Sequence, residues 1–282
     1  MAKELHEHFQ FYVPGYTFVP AYRNKLWNGK INLFHLNNNQ IYYGLLPYIK
    51  TFCDERNYSI DLNDVDIEDD FSLYYARKFN QELNPMSQNK PITANEHQLE
   101  AFVHGMQSHR MLLVSPTSSG KSLIAYMFFR QLWQYQNLKG LIIVPTTSLV
   151  EQLYSDFADY NNGSMEEHIH RIYQGKEKDT SKPLTISTWQ SLYKMPKEYF
   201  EQFDYIIGDE AHNFKAQSLA TIMTSCVNAK YRIGMTGTLD GTKTHKLVLE
   251  GLFGPAKQFI TTKQLDRKST RLNSSHLGIS YA

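Results

Sequence analysis

From Pro91 onward, short β-branched apolar runs alternate with segments patterned as helices, the runs falling at 111–114, 141–144, 184–186, 205–207 and 232–235. Runs this short and this apolar read as strands buried on both faces. Helical connections between them imply a mainly parallel sheet covered on both sides, the α/β architecture. In such sheets ligands bind at the carboxyl ends of the strands, so the loops after these runs are where chemistry is expected.

Two of those loops carry it. After 111–114 comes Ser115-Pro116-Thr117-Ser118-Ser119-Gly120-Lys121-Ser122, and after 205–207 comes Gly208-Asp209-Glu210-Ala211-His212. In the first, a small-residue loop entering a helix over 123–136 turns the backbone N–H groups of Thr117, Ser118, Ser119 and Gly120 toward one point at the positive helix end. Gly120 permits close approach, Lys121 supplies a point charge for the β- and γ-phosphates of ATP, and the Ser122 hydroxyl is an oxygen ligand for Mg²⁺. Ser115 departs from the G-x-x-x-x-G-K-[ST] pattern, which has Gly at that position. In the second loop, Asp209 suits Mg²⁺ held through its water shell, and Glu210 suits orienting and deprotonating an attacking water. Either string alone arises by chance; in this order, each after an apolar strand, they predict a nucleotide-hydrolysing site.

Composition limits the alternatives. The 282 residues are 41% hydrophobic, enough for a large domain and a small one. No apolar stretch approaches the roughly 20 residues that cross a bilayer, and the first residues lack a signal-peptide apolar region, so no membrane partner is expected and a cytoplasmic location is. Cys53 and Cys226 form no C-x-x-C pair, which fits a reducing compartment and supports neither a disulfide framework nor a zinc knuckle. His6, His8, His168 and His170 form H-x-H pairs without a third ligand and read as surface residues. The net charge of +1 includes Arg267, Lys268 and Arg271 with no acid after Asp266, so the rest is slightly acidic and any nucleic-acid contact must be a local patch.

Three regions are expected. Residues 1–85 form a small α+β domain, with strand-like Tyr16-Thr17-Phe18-Val19 and 30–36 joined through Asn28-Gly29, then a helix over 43–55 with Leu45, Leu46, Ile49 and Phe52 on one face. The acidic run 61–70 and the polar segment 84–91 separate it from the main domain, 86–265. Residues 266–282 break the pattern, and from Lys268 they look like vector read-through; the natural chain is expected to continue differently.

Further motifs lie in order around the two loops: Asn95-Glu96-His97-Gln98, Val144-Pro145-Thr146-Thr147-Ser148-Leu149-Val150-Glu151-Gln152, Thr185-Ile186-Ser187-Thr188-Trp189-Gln190-Ser191-Leu192, and Met235-Thr236-Gly237-Thr238. Together they resemble the first motor lobe, a RecA-like P-loop domain, of superfamily 2 helicases and translocases. The resemblance covers residues 91 to about 262. It implies that Gln98 reads the adenine edge, that Gly120, Lys121 and Ser122 meet the triphosphate and Mg²⁺, and that Asp209 and Glu210 are the metal-binding acid and the catalytic base. Thr236, Gly237 and Thr238, with His212, would link hydrolysis to strand movement, while Thr146, Thr147 and Gln190 would touch one nucleic-acid strand. As isolated residues, Thr146 to Ser148 and Asn95 read equally as helix caps, and 236–238 as a plain strand exit.

Near the amino end, Tyr22-Arg23-Asn24-Lys25-Leu26-Trp27-Asn28-Gly29-Lys30 interleaves cations with aromatics, a mixture suited to phosphate contact and base stacking. Arg23, Lys25, Trp27 and Lys30 are the candidate nucleic-acid residues; the alternative is a hairpin tip with Trp27 packed inward. The string L-W-N-G-K-I-N-L-F followed by Tyr43-Gly44-Leu45-Leu46-Pro47 resembles the front module of phage and archaeal DNA helicases related to repair translocases. The implied function is an ATP-dependent DNA helicase or translocase acting on branched or forked DNA in recombination, replication and repair. A second motor lobe, needed in cis for its arginines, lies outside the sequence. D-E-A-H strings occur in RNA- and DNA-remodelling members alike, so an RNA helicase, or a binding module with a non-hydrolysing nucleotide switch, remains the alternative.

Overall fold

The structure, a computed structural model, describes residues 1–62, 70–173, 181–214, 216–239 and 246–267. Most of the acidic run at 61–70 and the tail expected from Lys268 lie outside them.

Seven strands build the main sheet: β1 Arg110–Val114, β2 Gly140–Val144, β3 Ile169–Ile172, β4 Leu184–Thr188, β5 Tyr205–Gly208, β6 Tyr231–Thr236 and β7 Ala256–Lys257. Their order is β7-β1-β6-β5-β2-β4-β3, and every pairing is parallel. All residues of β2, β4 and β5 are buried, as strands covered on both faces must be. Alternate residues serve opposite layers. Met111, Leu113, Ile142, Val144, Ile186 and Ile207 pack with helices Glu96–Ser108, Lys121–Gln136 and Thr147–Tyr160. Leu112, Leu141, Ile143 and Ile206 face the other way, toward helices Ala216–Ser225 and Lys246–Phe253.

The helix Lys121–Gln136 is apolar nearly all round, and Phe128 and Phe129 are fully buried. Truncating either to Ala would cost about 3–5 kcal/mol. A rigid core therefore stands directly behind the phosphate-loop segment. Among the described residues no helix is long and apolar enough to cross a membrane.

The amino-terminal segment covers the second face. Its helix Ala2–His8, strand pair Gln10–Tyr12 with Lys30–Asn32, hairpin Phe34–His35 with Gln40–Ile41, and helix Leu46–Glu55 contribute Leu5, Phe9, Leu33, Phe34, Leu45 and Phe52 to the cluster beneath β1, β2 and β5. Gly44 is required there: a Cβ would run into the carbonyls of Glu250 and Gly251. Helix Leu73–Leu83 instead sends Ala76 and Phe79 to the opposite cluster. The polar segment after it is a hairpin, Met86–Ser87 with Lys90–Pro91, turned by Gln88 and Asn89 at φ +51° and +60°.

The expected strand at Tyr16 to Val19 is not one. Gly15 at φ +71° reverses the chain, Tyr16–Phe18 makes a 3-10 turn, and Pro20 starts the helix Pro20–Arg23. Tyr16 is held between Tyr12 and Tyr22 by ring contacts at 4.6 and 4.7 Å, so its aromatic character serves a cluster rather than a strand. The segment 30–36 divides into two strands with different partners, and the helix expected over 43–55 begins as the 3-10 turn Tyr43–Leu45, with Pro47 in the first turn of Leu46–Glu55. His6 Nδ1 lies 2.9 Å from Phe34 O, and the His168 ring packs on Trp133, so both are half-buried rather than plain surface residues.

Candidate nucleotide site and nucleic-acid face

The loop after β1 is braced from three sides. Ser115 N–H donates to Thr236 O at 2.9 Å, tying its start to the end of β6. The Ser115 hydroxyl donates to Ser119 Oγ at 2.7 Å, which gives the residue standing in place of the pattern's Gly a job inside the loop. From below, Gln98 Nε2 donates to Ser119 O at 3.1 Å and to Gly120 O at 3.3 Å, while its Oε1 accepts Asn95 N–H at 2.7 Å. The Gln98 amide is thus committed to a capping box and to the loop, and it occupies the space that a Cβ on residue 120 would need. With Ser118 and Gly120 at φ +64° and +80°, the loop hands over to the helix Lys121–Gln136.

Lys121 Nζ lies 3.3 Å from Ser115 O and 3.5 Å from Glu210 Oε1, its side chain only 10% exposed. The second loop begins where Asp209 N–H donates to Ile143 O, extending β5 beside β2, and turns at Glu210, φ +49°. Burial first, and the Glu210 charge second, push the Asp209 carboxyl up to about 6; Lys121 and the Glu210 N–H, 3.0 Å from Asp209 Oδ1, pull the other way. A carboxyl destabilised as an anion by burial is one that a divalent cation would relieve.

These residues line one cavity of about 360 Å³ with Thr117, Ser118, Gly120, Ser122, Leu149, Gln152, Leu153 and Asp156. Its hard oxygen donors fit Mg²⁺: Ser122 Oγ and the Asp209 carboxylate lie beside a cation suited to phosphates.

A polar chain leads out of the cavity. Thr236 Oγ1 donates to Thr238 O at 2.8 Å, so the proton between it and His212 Nδ1, 2.7 Å away, belongs to the imidazole. That ring nitrogen also lies 3.5 Å from Glu210 Oε2. Gly237 lies over the start of the phosphate loop, Ser115 O and Thr117 Oγ1 being 4.0 Å from where its Cβ would stand, which leaves room for a side chain.

At the ends of β2 and β4, Thr146, Thr147 and Gln190 come together on an exposed edge. Thr146 Oγ1 accepts Leu149 N–H at 3.4 Å, capping the helix Thr147–Tyr160, and Gln190 Nε2 donates to Pro145 O at 3.3 Å. Capping leaves these residues at the surface, so the cap and a strand-contact role are compatible.

The amino-terminal cations surround a second, open hollow of about 770 Å³ lined by Thr17, Tyr22, Arg23, Lys25, Leu26, Trp27 and Asn28. Trp27 Nε1–H donates to Lys30 O at 2.9 Å, Arg23 Nε to Thr17 O at 3.2 Å, and Lys30 Nζ to Gln10 Oε1 at 2.9 Å, over the Tyr12 ring. Lys30 is therefore engaged by its own strand pair, whereas Lys25 projects from the tip at φ +56°. Phe18 and Leu26 are 75% and 81% exposed beside it, and no Asp or Glu occurs between Phe9 and Cys53. From the sequence, Gln152, Asp156 and Tyr160 receive no role, though they form one row at spacing i, i+4, i+8 on the helix after β2; that polar spacing was the available signal.

A phosphate-loop lobe with an acid pair two strands along the sheet, and a T-G-T exit on the strand between them that is coupled to the pair, is a motor lobe of the superfamily 2 helicase class. The chain belongs to the family described as "Type III restriction enzyme, res subunit", whose profile matches residues 80–241. Residues 1–63 match the profile described as "DNA helicase UvsW, N-terminal". The ATP-dependent DNA helicase uvsW of Enterobacteria phage T4 is 33% identical over 285 aligned positions, which take in 99% of this chain and 56% of that protein. The DNA 3'-5' translocase XPB2 of Sulfurisphaera tokodaii is 27% identical over 150 positions, 52% of this chain and 31% of its own. A crystal structure of the UvsW helicase from bacteriophage T4 superposes with TM-score 0.81 at 33% identity, covering 91% of this chain and 92% of that one. Another of T4 UvsW gives 0.85 at 32%, covering 99% and 58%. The chain spans about half the length of the phage T4 relative.

Proposed function

We propose that this chain is the nucleotide-binding motor portion of an ATP-dependent DNA helicase or translocase that acts on branched DNA in recombination, replication and repair. The observation that carries this reading is the convergence of Lys121, Ser122, Asp209 and Glu210 in one cavity, wired through His212 to Thr236 and Thr238. The backbone N–H groups of the loop from Thr117 to Gly120, and Lys121, hold the triphosphate; Gln98, which braces that loop through Ser119 O and Gly120 O, is assigned the adenine edge by the family resemblance. Mg²⁺, when bound by Ser122 and Asp209, supplies charge neutralisation for the phosphates. Glu210 orients a water in line with the γ-phosphate and accepts its proton, and the resulting change at Glu210 is felt by His212 and passed to the strand exit at Thr236.

On the nucleic-acid side, Thr146, Thr147 and Gln190 contact one strand's phosphates, while Arg23, Lys25, Lys30 and Trp27 engage the DNA ahead of the motor. The acid-free stretch from Phe9 to Cys53, with exposed aromatic and aliphatic side chains among its cations, supports that assignment. The family resemblance further implies a second motor lobe whose arginines reach the γ-phosphate. The test is ATP hydrolysis by a chain carrying both lobes, with forked DNA, linear duplex and structured RNA offered in parallel. Strongest stimulation by forked DNA is expected; strongest stimulation by RNA would replace this reading with an RNA helicase.

A further inference from the structure

A side-chain amide has two hydrogens to give, and the partners around Gln98 fix where each goes. Asn95 N–H can only donate, so the atom facing it at 2.7 Å is Oε1. The carbonyls of Ser119 and Gly120 can only accept, so the atom facing them at 3.1 and 3.3 Å is Nε2, with one hydrogen on each. A flipped amide would satisfy none of the three. The residue is 4% exposed, and a Cβ on residue 120 would meet Nε2 at 2.1 Å, so Gln98 is lodged behind the loop with no hydrogen left to offer.

The two carbonyls are held differently. Gly120 O also accepts Leu123 N–H at 3.1 Å, so the helix Lys121–Gln136 orients that peptide by itself. Ser119 precedes the helix, and side chains fix its carbonyl: Gln98 Nε2, and His97 Nε2 at 3.2 Å, which carries a proton there because a carbonyl only accepts. No peptide bond among the described residues is cis, so each N–H points opposite to the C=O of its own plane. Drawing the Ser119 carbonyl onto the start of the helix Glu96–Ser108 therefore turns the Gly120 N–H the other way, and Gly120 lines the nucleotide cavity.

We propose that Gln98 is a positioning residue of the phosphate loop: it acts on the polyphosphate through the Gly120 peptide and donates nothing to the base. Its committed hydrogens leave none for the N7 of a purine, and its contribution is the same whatever base the triphosphate carries. The proposal rests on the nucleotide-site reading above and departs from it at this one residue, to which the family resemblance assigns the adenine edge.

The test is titration calorimetry of the chain with Mg²⁺ and non-hydrolysable triphosphate analogues bearing adenine, 7-deazaadenine or guanine, and with inorganic tripolyphosphate as a base-free probe. The unaltered chain should bind the adenine and 7-deazaadenine analogues alike, and this arm needs no variant. Gln98→Met keeps the side-chain volume and removes both donors. It should weaken all four probes by one common factor of roughly fivefold to tenfold, the worth of one hydrogen bond. Gln98→Glu keeps an acceptor for Asn95 N–H, and so the helix cap, but has no donor for the loop, and it should not restore affinity. Weaker binding of the 7-deazaadenine analogue by the unaltered chain would show that N7 is read. Unaltered tripolyphosphate affinity in Gln98→Met, a loss confined to the adenine analogues, or restored affinity in Gln98→Glu would reduce the residue to space filling, base reading or capping, and any of these overturns the proposal. Lys121→Ala separates this from failure of the underlying reading: if it leaves triphosphate binding intact, the nucleotide site itself is misplaced.

Discussion

The Tyr48 hydroxyl donates to Glu250 Oε2 at 2.7 Å, joining the amino-terminal segment to the helix Lys246–Phe253 across 202 positions of sequence. Glu250 is 2% exposed and its other oxygen accepts Ala256 N–H at 2.9 Å, with Lys246 Nζ 3.6 Å away. Burial, then Glu250, pushes the Tyr48 phenol up to about 12, so the hydroxyl keeps its proton across the physiological range. Tyr48→Phe should cost about 1 kcal/mol, and Glu250→Ala, which strands both donors, about 3 kcal/mol. Urea denaturation of the two single variants and the double variant checks this; strictly additive losses would mean the bond couples nothing.

Replacing Lys121 by Ala removes the cation of the nucleotide cavity. Hydrogen bonds to charged groups are worth about 1.5–3 kcal/mol, so ATP affinity should fall roughly ten- to a hundredfold. Glu210→Gln should spare binding and lower turnover by about a hundredfold or more, because an amide orients water but takes no proton. Equal losses of binding and turnover in Glu210→Gln would remove it as the base.

Asp209 gives a pH signature in nucleotide-free protein with chelator present. Its folded-state carboxyl is raised to about 6 from 3.8, so its contribution is intact below pH 4 and is lost as pH rises through 6. Two units correspond to about 2–3 kcal/mol. Asp209→Asn should therefore be more stable than the parent at pH 7 by up to that amount, with the difference fading toward pH 4. A constant difference across that range in urea midpoints would contradict the burial argument.

Neutralising Arg23, Lys25 and Lys30 should weaken DNA binding for every sequence alike, each lost phosphate contact flattening the log–log salt slope by roughly 0.7–0.9. Lys25 should account for more of the change than Lys30, whose ammonium is held by Gln10 Oε1 and the Tyr12 ring. Trp27→Phe keeps a stacking ring but drops the N–H to Lys30 O, so Trp27→Ala losing single-strand affinity where Trp27→Phe does not would assign the effect to stacking. An unchanged slope in the triple variant returns this turn to a purely structural role.

What the sequence determined by itself is local chemistry in order along the chain. Apolar runs of three or four residues between helical segments read as doubly covered strands, and the loops after 114 and 208 carried residue types whose backbone and charge requirements are specific. Five of the seven strands and the helix behind the phosphate loop were legible for that reason. The strands Ile169–Ile172 and Ala256–Lys257 were not, being edge or two-residue elements whose pairing comes from neighbours rather than from pattern. Tyr16 was misread because aromatic residues favour strands, while Gly15, Pro20 and the stack on Tyr12 decide its backbone.

Tertiary structure alone decided what meets across the chain. Strand order brings residues 115–122 against 209–212 and 236–238, and the helix Thr147–Tyr160 lays Asp156 and Tyr160 beside Ser122, 34 and 38 positions earlier. It also decided that Gln98 is spent on its own cap and on the loop above it, and that the amino-terminal segment shares a core with the sheet. Such meetings depend on which side of a strand or helix a residue faces after packing, and burial area, which drives packing, is a property of the assembled layers that no single segment contains.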